Sequence, residues 1–427
     1  MIPHPCITPS GPLSDIEKKI LASQHEIERW FCQEWIEHTP PIYSSVDLRN
    51  AGFKLSPVDT NLFPGGWNNL TPPMVSLAAR VAAATLTKAC PSARRLLVVP
   101  ENHTRNLFYL RNIAQLQQVL SLAGFDVRVG TVNPEITHPT SLEVSEGQRV
   151  TLEPVVRTQS RLGLANFDPC VVLINNDLSG GVPAILEGLH GQCLLPQLSA
   201  GWYRRRKSRH FSAYEQVASR FGKVLGLDPW LFNPLYMQCE VNFAEGTGTD
   251  HLQVVVEELL ASIRRKYREH GVTDAPFVVV KADNGTYGMG IMTVRDAKEL
   301  EKLNRRTRNK MAVVKDGQRV SSVLVQEGVP TLESIHGATA EPVAYMIGSE
   351  VVGGFYRANA GRGRDENLNA PGANFVPVAF EAMSHQSLRG ATGRFYAYGV
   401  IARLAALAAS SELEYTDRDS QAILDVA

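Results

Sequence analysis

The chain has 427 residues, and its 43 Lys and Arg balance 43 Asp and Glu, so overall charge favours neither nucleic acid nor an anionic membrane surface. That length suffices for two or three domains around a large core, and no apolar run approaches the roughly 20 residues of a membrane span. The start, MIPHPCITPSGPLSDIEKK, lacks a basic segment followed by an apolar one, and the six cysteines (Cys6, Cys32, Cys90, Cys170, Cys193, Cys239) include no CxxC pair. Reduced thiols in an intracellular, cytoplasmic protein are therefore expected, not a disulfide frame or a cysteine metal site.

In chain order, residues 14–37 carry Ile16, Ile20, Ile27, Trp30, Phe31 and Trp35 at helical spacing, opened by a capping box of Ser14 and Glu17. The segment from Ser45 to Leu70 mixes Asp47, Arg49, Asn50, Lys54, Asp59, Asn61, Asn68 and Asn69 with Phe53, Phe63 and Trp67, without clear periodicity. It suits a loop-built site for a small zwitterion, with Arg49 and Lys54 for a carboxylate and Asp47 or Asp59 for an ammonium. A surface loop whose amides cap neighbouring elements is the alternative. Residues 74–90 read as a helix. From Arg95 strands (96–99, 127–129, 152–156, 171–175) alternate with helices (104–123, 182–189), which predicts a parallel sheet with polar residues at its strand ends. Asn102 and Arg105, and the run from Asn175 to Gly181, are such ends: cleft-lining residues or helix N-caps. The basic run Arg204–Lys207, with Arg209 and His210, reads as a solvated helix start, a phosphate-facing role being the less favoured reading.

Tyr236 to Asn242 reads as a strand that points Glu240 and Asn242 to one side, two hard oxygens for one Mg2+. After a charged amphipathic helix, 252–270, comes PFVVVKADNGTYGMGIMTV: a buried strand, Lys281, Asp283, then Gly285, Gly288 and Gly290. Glycines this close let backbone N–H groups approach an anion, and the lysine adds a point charge. Because Ile291 to Val294 is again apolar, the loop joins two strands, unlike a Walker loop or a dinucleotide fingerprint, which lead into a helix. The reading is a phosphate flap or a hairpin with a glycine-rich tip. A strand over 320–329 ends in Gln326, Glu327, Gly328 and Val329. A hairpin over 340–357 turns at Gly348-Ser349 and brings Glu341 and Arg357 to its open end, to serve metal and phosphate or to pair with each other. A polar loop with Asn359, Arg362, Arg364, Glu366, Asn367 and Asn369 follows, then a helix over 392–409 and a polar tail expected to fray.

In this order, VVVKADNGTYGMGI, VLVQEGV, EPVAYMIGSEVVGGFYRAN and ENLNAPGANF resemble ATP-grasp carboxylate–amine ligases such as glutathione synthetases. The whole chain, including SVDLRNAGFKLSPVDTNLFPGGWNNL and PENHTRN, resembles the proteobacterial glutamate–cysteine ligase family. The resemblance implies an α/β protein (α+β in its C-terminal half), an ATP-grasp fold preceded by a parallel-sheet α/β domain. The corresponding blocks are a helical and substrate-loop region (1–94), a substrate-binding domain (95–235), the ATP-grasp domain (236–410) and a tail (411–427). It implies that ATP, L-glutamate and L-cysteine give γ-glutamylcysteine through an acyl phosphate, with ATP and Mg2+ as cofactors. Nucleic acid and membrane are not expected partners, and a homo-oligomer stays open. Lys281 and Arg357 would be catalytic. Lys281, Asp283, Gly285, Gly288 and Gly290 would hold phosphates, and Gln326, Glu327 and Val329 the nucleoside. Arg49, Lys54, Asn61, Asn69, Asn102 and Arg105 would serve the substrates. Glu341 and Asn369 would join Glu240 and Asn242 at the metal. One departure affects that last set: bacterial glutathione synthetases carry an ExN pair after the hairpin, whereas Glu240-Val241-Asn242 precedes the glycine loop, an order similar to eukaryotic glutathione synthetases. Glu366 with Asn367 or Asn369 is the alternative metal set. Glutathione synthetase itself and a non-catalytic nucleotide-binding regulator are the rival functions.

Overall fold

The segment from Ser45 to Asn61 is not a loop. Ser45, Asp47 and Arg49 alternate with the fully buried Val46 and Leu48, the period of a strand packed on one face, and Tyr43–Asn50 pairs antiparallel with Leu55–Asn61. In a computed structural model of the chain, which describes residues 13–284, 290–313, 317, 319–378 and 391–424, this pair is part of a central antiparallel sheet. The order is Asn374–Pro377, Glu350–Asn359, Ala338–Ile347, Tyr43–Asn50, Leu55–Asn61, with Ser334–Ile335 beside Ala338–Ile347. Strands from near both ends of the chain therefore share one sheet, across the expected block boundaries.

The pleat gives that sheet two unlike faces. A Cβ on Gly353 would lie 2.9 Å from Met74 of the helix Pro72–Ala89, and one on Gly354 would lie 3.1 Å from the Phe395 ring of the helix Ala391–Leu424. Helices thus cover opposite sides. Phe355 and Arg357 share the face of Gly353. The hairpin turns at Gly348 (φ +55) and Ser349, as its Gly-first sequence predicts, and a register shift between Tyr345 and Met346 sets Arg357 directly opposite Glu341.

A second sheet runs Cys193–Leu195, Val171–Asn175, Arg95–Pro100, Asp126–Thr131 and Gln148–Pro154, all parallel, with Thr140–Ser145 antiparallel at its edge. The alternation of strands and helices predicted this. Two expected elements differ. Residues 182–189 form one 3-10 turn, Ala184–Leu186, between Pro183 and the left-handed Gly188 (φ +63). Residues 14–37 form two helices, Asp15–Ala22 and Gln24–Glu37, broken at Ser23; the Ser14–Glu17 capping box is present.

The basic run is only partly solvated: Arg209 is exposed and Arg204 and Arg206 are half-buried. The helix Lys207–Leu225 starts there, but Arg205 is buried and forms a bidentate pair with Glu412 (2.9 and 2.8 Å), and buried Lys207 reaches Asp59 at 2.5 Å. Glu412 explains a further correction. The last helix does not end at 409; it runs from Ala391 to Leu424, and Ser410, Glu412 and Thr416 are buried, so the expected tail is packed structure as far as Thr416.

The third sheet, Tyr236–Glu240, Ser322–Glu327, Val278–Ala282, Ile291–Val294, is antiparallel throughout and lies against the helix Thr249–Glu269. Its core (Val255, Leu259, Ile263, Val278, Val280, Val323, Val325) is separate from the one beneath the other two sheets. The chain joins strand, loop and strand at 278–294 as expected; Gly285 and Gly288 lie outside the described residues. No helix among the described residues is long and apolar enough to cross a membrane.

Candidate active site

The open face of the central sheet carries an ionic cluster. Arg357 Nη1 donates to Glu341 at 2.7 Å and to Asp47 at 2.8 Å, while Arg49 Nε donates to the other oxygen of Glu341 at 2.7 Å. Burial pushes the Glu341 carboxyl up, but the two guanidinium charges overcome it and hold the group below the usual carboxylate range. Arg49 also donates to the carbonyls of Arg364 (2.9 Å) and Glu366 (2.7 Å), which pins the polar loop to the sheet. Arg357 Nε is buried and has no hydrogen-bond partner among the described residues.

Between this face and the third sheet lies a cavity of about 110 Å3. The third sheet contributes Val279, Lys281, Gln326 and Glu327, the segment that follows it Val329, the central sheet Asp47, Arg49, Glu341 and Arg357, and the polar loop Asp365, Glu366, Asn367 and Asn369. It is contiguous with a space of about 570 Å3 between Ile291–Arg295 and the loop residues 362–371. On its other side is a cavity of about 350 Å3 that shares Asp47, Asp59, Arg357 and Asn369 with it and adds Asn61, Asn69, Glu101, Asn106 and Asp177. Arg357 stands where the two meet.

Lys281 is 5 % exposed, and its Nζ donates to the Val58 carbonyl at 2.6 Å. Burial lowers its pKa to about 7; the neighbouring Lys207 charge adds to this and Asp59 opposes it. For Asp59, burial acts upward, but Lys207 and Lys281 together hold it at about 2. Gln326 Nε2, also on the first wall, is buried without a hydrogen-bond partner among the described residues.

The structure thus gathers Arg49, Lys281, Gln326, Val329, Glu341, Arg357 and Asn369 around the first cavity, and Asn61 and Asn69 around the second. Other candidates are elsewhere or occupied. Lys54 is fully buried; its Nζ bonds Glu327 at 2.7 Å and lies 4.1 Å from the centre of the Trp230 ring, so it is not free to take a substrate carboxylate. Glu327 borders the cavity, but its oxygens are taken by Lys54, Trp230 Nε1 and Leu235 N–H, so it does not offer a free carboxylate to a ribose. Asp283 is fully buried and accepts from Ser208 N–H (2.7 Å) and Ser208 Oγ (2.8 Å) at the start of the helix Lys207–Leu225, a cap and not a phosphate ligand. Glu240 is exposed and Asn242 Oδ1 accepts from Ala244 and Glu245 N–H; neither lines these three cavities, whereas the alternative Glu366, Asn367 and Asn369 line the first. Asn102 and Arg105 also miss the walls, and Glu101 and Asn106 of the same strand end line the second cavity instead. Gly290 (φ +61) ends the glycine loop and lines none of these cavities. Asp365 was not singled out in the sequence; its signal is only its place in a loop dense in acids and amides.

Lys281 lines the first cavity, Arg357 borders both, and carboxylates suited to ammonium groups stand beside them, a lining that fits an enzyme acting on small charged substrates. Comparison with known proteins gives the particular case. The glutamate-cysteine ligase family matches residues 17–413, and the chain belongs to that family. A protein of known structure from Methylobacillus flagellatus, assigned as a gamma-glutamylcysteine synthetase, is 54% identical over 97% of this chain and 99% of its own, with a TM-score of 0.87. A glutathione synthetase-like effector from Globodera pallida (9% identity, 80% of this chain, 77% of its own, TM-score 0.38) and D-alanyl-alanine synthetase A from Vibrio cholerae (14%, 73%, 81%, 0.35) are much looser likenesses. No curated protein matches the chain. The enzyme is a glutamate–cysteine ligase, dependent on ATP and a divalent metal ion.

Proposed function

We propose that the ligase works in the ATP-grasp manner, with the nucleotide between the third and central sheets and the amino acids in the second cavity. The observation that carries this reading is the shared wall: Asp47, Asp59, Arg357 and Asn369 border both spaces, so a phosphoryl group on one side and a carboxylate on the other can meet there. A carboxylate resists nucleophiles because of its charge. When a γ-carboxylate oxygen of glutamate takes the terminal phosphoryl group, ADP leaves and the carbon acquires a good leaving group. The cysteine amine then attacks that carbon, and phosphate departs. Lys281 would hold the phosphates and the free Nε of Arg357 would balance charge on the transferred group. Closure of the third sheet, which has its own core, would exclude water from the acyl phosphate.

The donors on the cavity wall for a metal ion are carboxylate and amide oxygens, among them Glu341, Asp365, Glu366, Asn367 and Asn369. An all-oxygen set fits a hard cation, and we assign Mg2+, which would offset charge on phosphate oxygens. Glu341 already carries two guanidinium partners, so the loop residues would hold most of it. Free thiols at Cys32, Cys90, Cys170, Cys193 and Cys239 and the use of ATP support a cytoplasmic enzyme. The test is phosphate release from MgATP with glutamate, cysteine or both. Release that needs both, with product of γ-glutamylcysteine mass, is expected, and Lys281→Ala should reduce it by at least ~100-fold. A folded Lys281→Ala enzyme with near wild-type turnover would remove Lys281 from the mechanism.

A further inference from the structure

The second cavity is not uniformly polar. Four aromatic rings on its wall touch in series: Tyr345 and Phe355 (centroids 5.6 Å), Phe355 and Phe375 (5.2 Å, edge-on), Phe375 and Phe108 (5.6 Å, stacked). The rest of that wall carries the carboxylates Asp47, Asp59, Glu101 and Asp177 and several amides, and Arg357 is the one cationic side chain among the described residues lining it. The strand period connects the two parts. Phe355 and Arg357 lie on one face, about 7 Å apart along the strand, opposite Val343 and Glu341 respectively. The sheet face thus changes from ionic to aromatic within one pleat repeat.

Both amino acids carry an α-ammonium and an α-carboxylate that need polar partners. The γ-carboxylate of glutamate belongs at Arg357, where the phosphoryl group arrives. What remains for the aromatic rings is the side chain of the attacking amino acid. A thiol is a weak hydrogen-bond donor and a polarisable body that gains from contact with ring faces and edges, whereas a hydroxyl placed there gives up water without a replacement. We propose that the series Tyr345, Phe355, Phe375 and Phe108 receives the cysteine side chain and is the source of selection for a thiol over a hydroxyl. This rests on the proposed placement of the amino acids in the second cavity.

The first test uses the unaltered enzyme with saturating glutamate and MgATP, comparing kcat/KM for cysteine, 2-aminobutyrate (a methyl in place of the thiol) and serine. An aromatic compartment predicts that 2-aminobutyrate exceeds serine by at least about tenfold; serine equal to 2-aminobutyrate would overturn the proposal. The second uses Phe375→Ala and Phe108→Ala, the latter at a ring already 44% exposed, so that one variant keeps its fold. Each is assayed with cysteine and with hydroxylamine, a nucleophile without a side chain that traps activated glutamate as the hydroxamate. The expected result is a loss of kcat/KM for cysteine about five- to tenfold larger than any loss of hydroxamate formation, with a reduced preference for cysteine over serine. Equal losses for the two nucleophiles would refute the role of the ladder. Failure of the unaltered enzyme to form hydroxamate from glutamate and MgATP would refute the underlying reading of the site.

Discussion

Two buried ionic clusters lie near the junction of the third sheet with the rest of the molecule, and they differ in what surrounds them. Around Arg357 the charges of Asp47, Glu341 and Arg49 face cavities on two sides, and one guanidinium nitrogen has no partner among the described residues. Around Lys54 the ammonium is sealed: Glu327 and the Trp230 ring enclose it, and Phe53 stacks on that ring at 6.1 Å with 10° between planes. The sealed cluster fastens the hairpin that links Tyr43–Asn50 to Leu55–Asn61 to the third sheet. The open one has interaction capacity left for a ligand. A buried charge is therefore a site only where a cavity reaches it and leaves a polar atom to bind with, which Glu327, at the cavity wall but fully paired, does not have.

This contrast can be broken by substitution. The largest effect expected is on folding. Lys54→Met leaves Glu327 as a buried carboxylate without its ammonium and should cost about 3–5 kcal/mol, read from denaturant unfolding, with partial recovery in the double variant Lys54→Met/Glu327→Gln. An unchanged unfolding midpoint would mean that the sealed pair is not a fastening. Next, Arg357→Lys keeps a positive charge for Asp47 but loses the planar donor array. Turnover should fall by roughly 100-fold, while the unfolding midpoint moves less than in Lys54→Met; full turnover would show that the spare Nε is not used. The smallest effect sharpens the contrast at Lys281, whose free-enzyme pKa is about 7 because of burial. Nucleotide phosphates favour the ammonium, so binding should raise that pKa and take up close to one proton at pH 8 but only about a tenth at pH 6. Affinity for ATP should accordingly weaken as pH rises above 7, and calorimetry in buffers of different ionisation enthalpy measures the uptake. No uptake at pH 8, or equal uptake in Lys281→Met, would contradict it.

The parallel sheet was legible because fully buried strands such as Val171–Asn175 are continuous apolar runs separated by helices. Glu341 and Arg357 were legible because a hairpin with a Gly-first turn fixes which residues share its open end, and Lys281 because an apolar strand runs directly into it. The polar strand Tyr43–Asn50 was harder: its site face carries Ser45, Asp47 and Arg49, and the buried Val46 and Leu48 alternate with them too briefly to stand out. The roles of Lys54, Asp283 and Glu240 depended on partners 273, 75 and 82 positions away in Glu327, Ser208 and Ser322, and no local pattern encodes such pairings. Glu412 is a similar case, since its polar neighbourhood suggested a frayed end until Arg205 and His210 met it.

The register shift between Tyr345 and Met346 makes the hairpin from Ala338 to Asn359 a device that counts residues. Side chains on a strand alternate sides, so losing or gaining a single residue between the turn and Arg357 would rotate the guanidinium away from the cavities and toward the helix Ala391–Leu424. Phe355 would turn with it. Changes of two residues preserve the side while changing the reach. Parity, more than length, is thus the heritable constraint on this hairpin, and drift there must proceed in even steps or by paired compensating events.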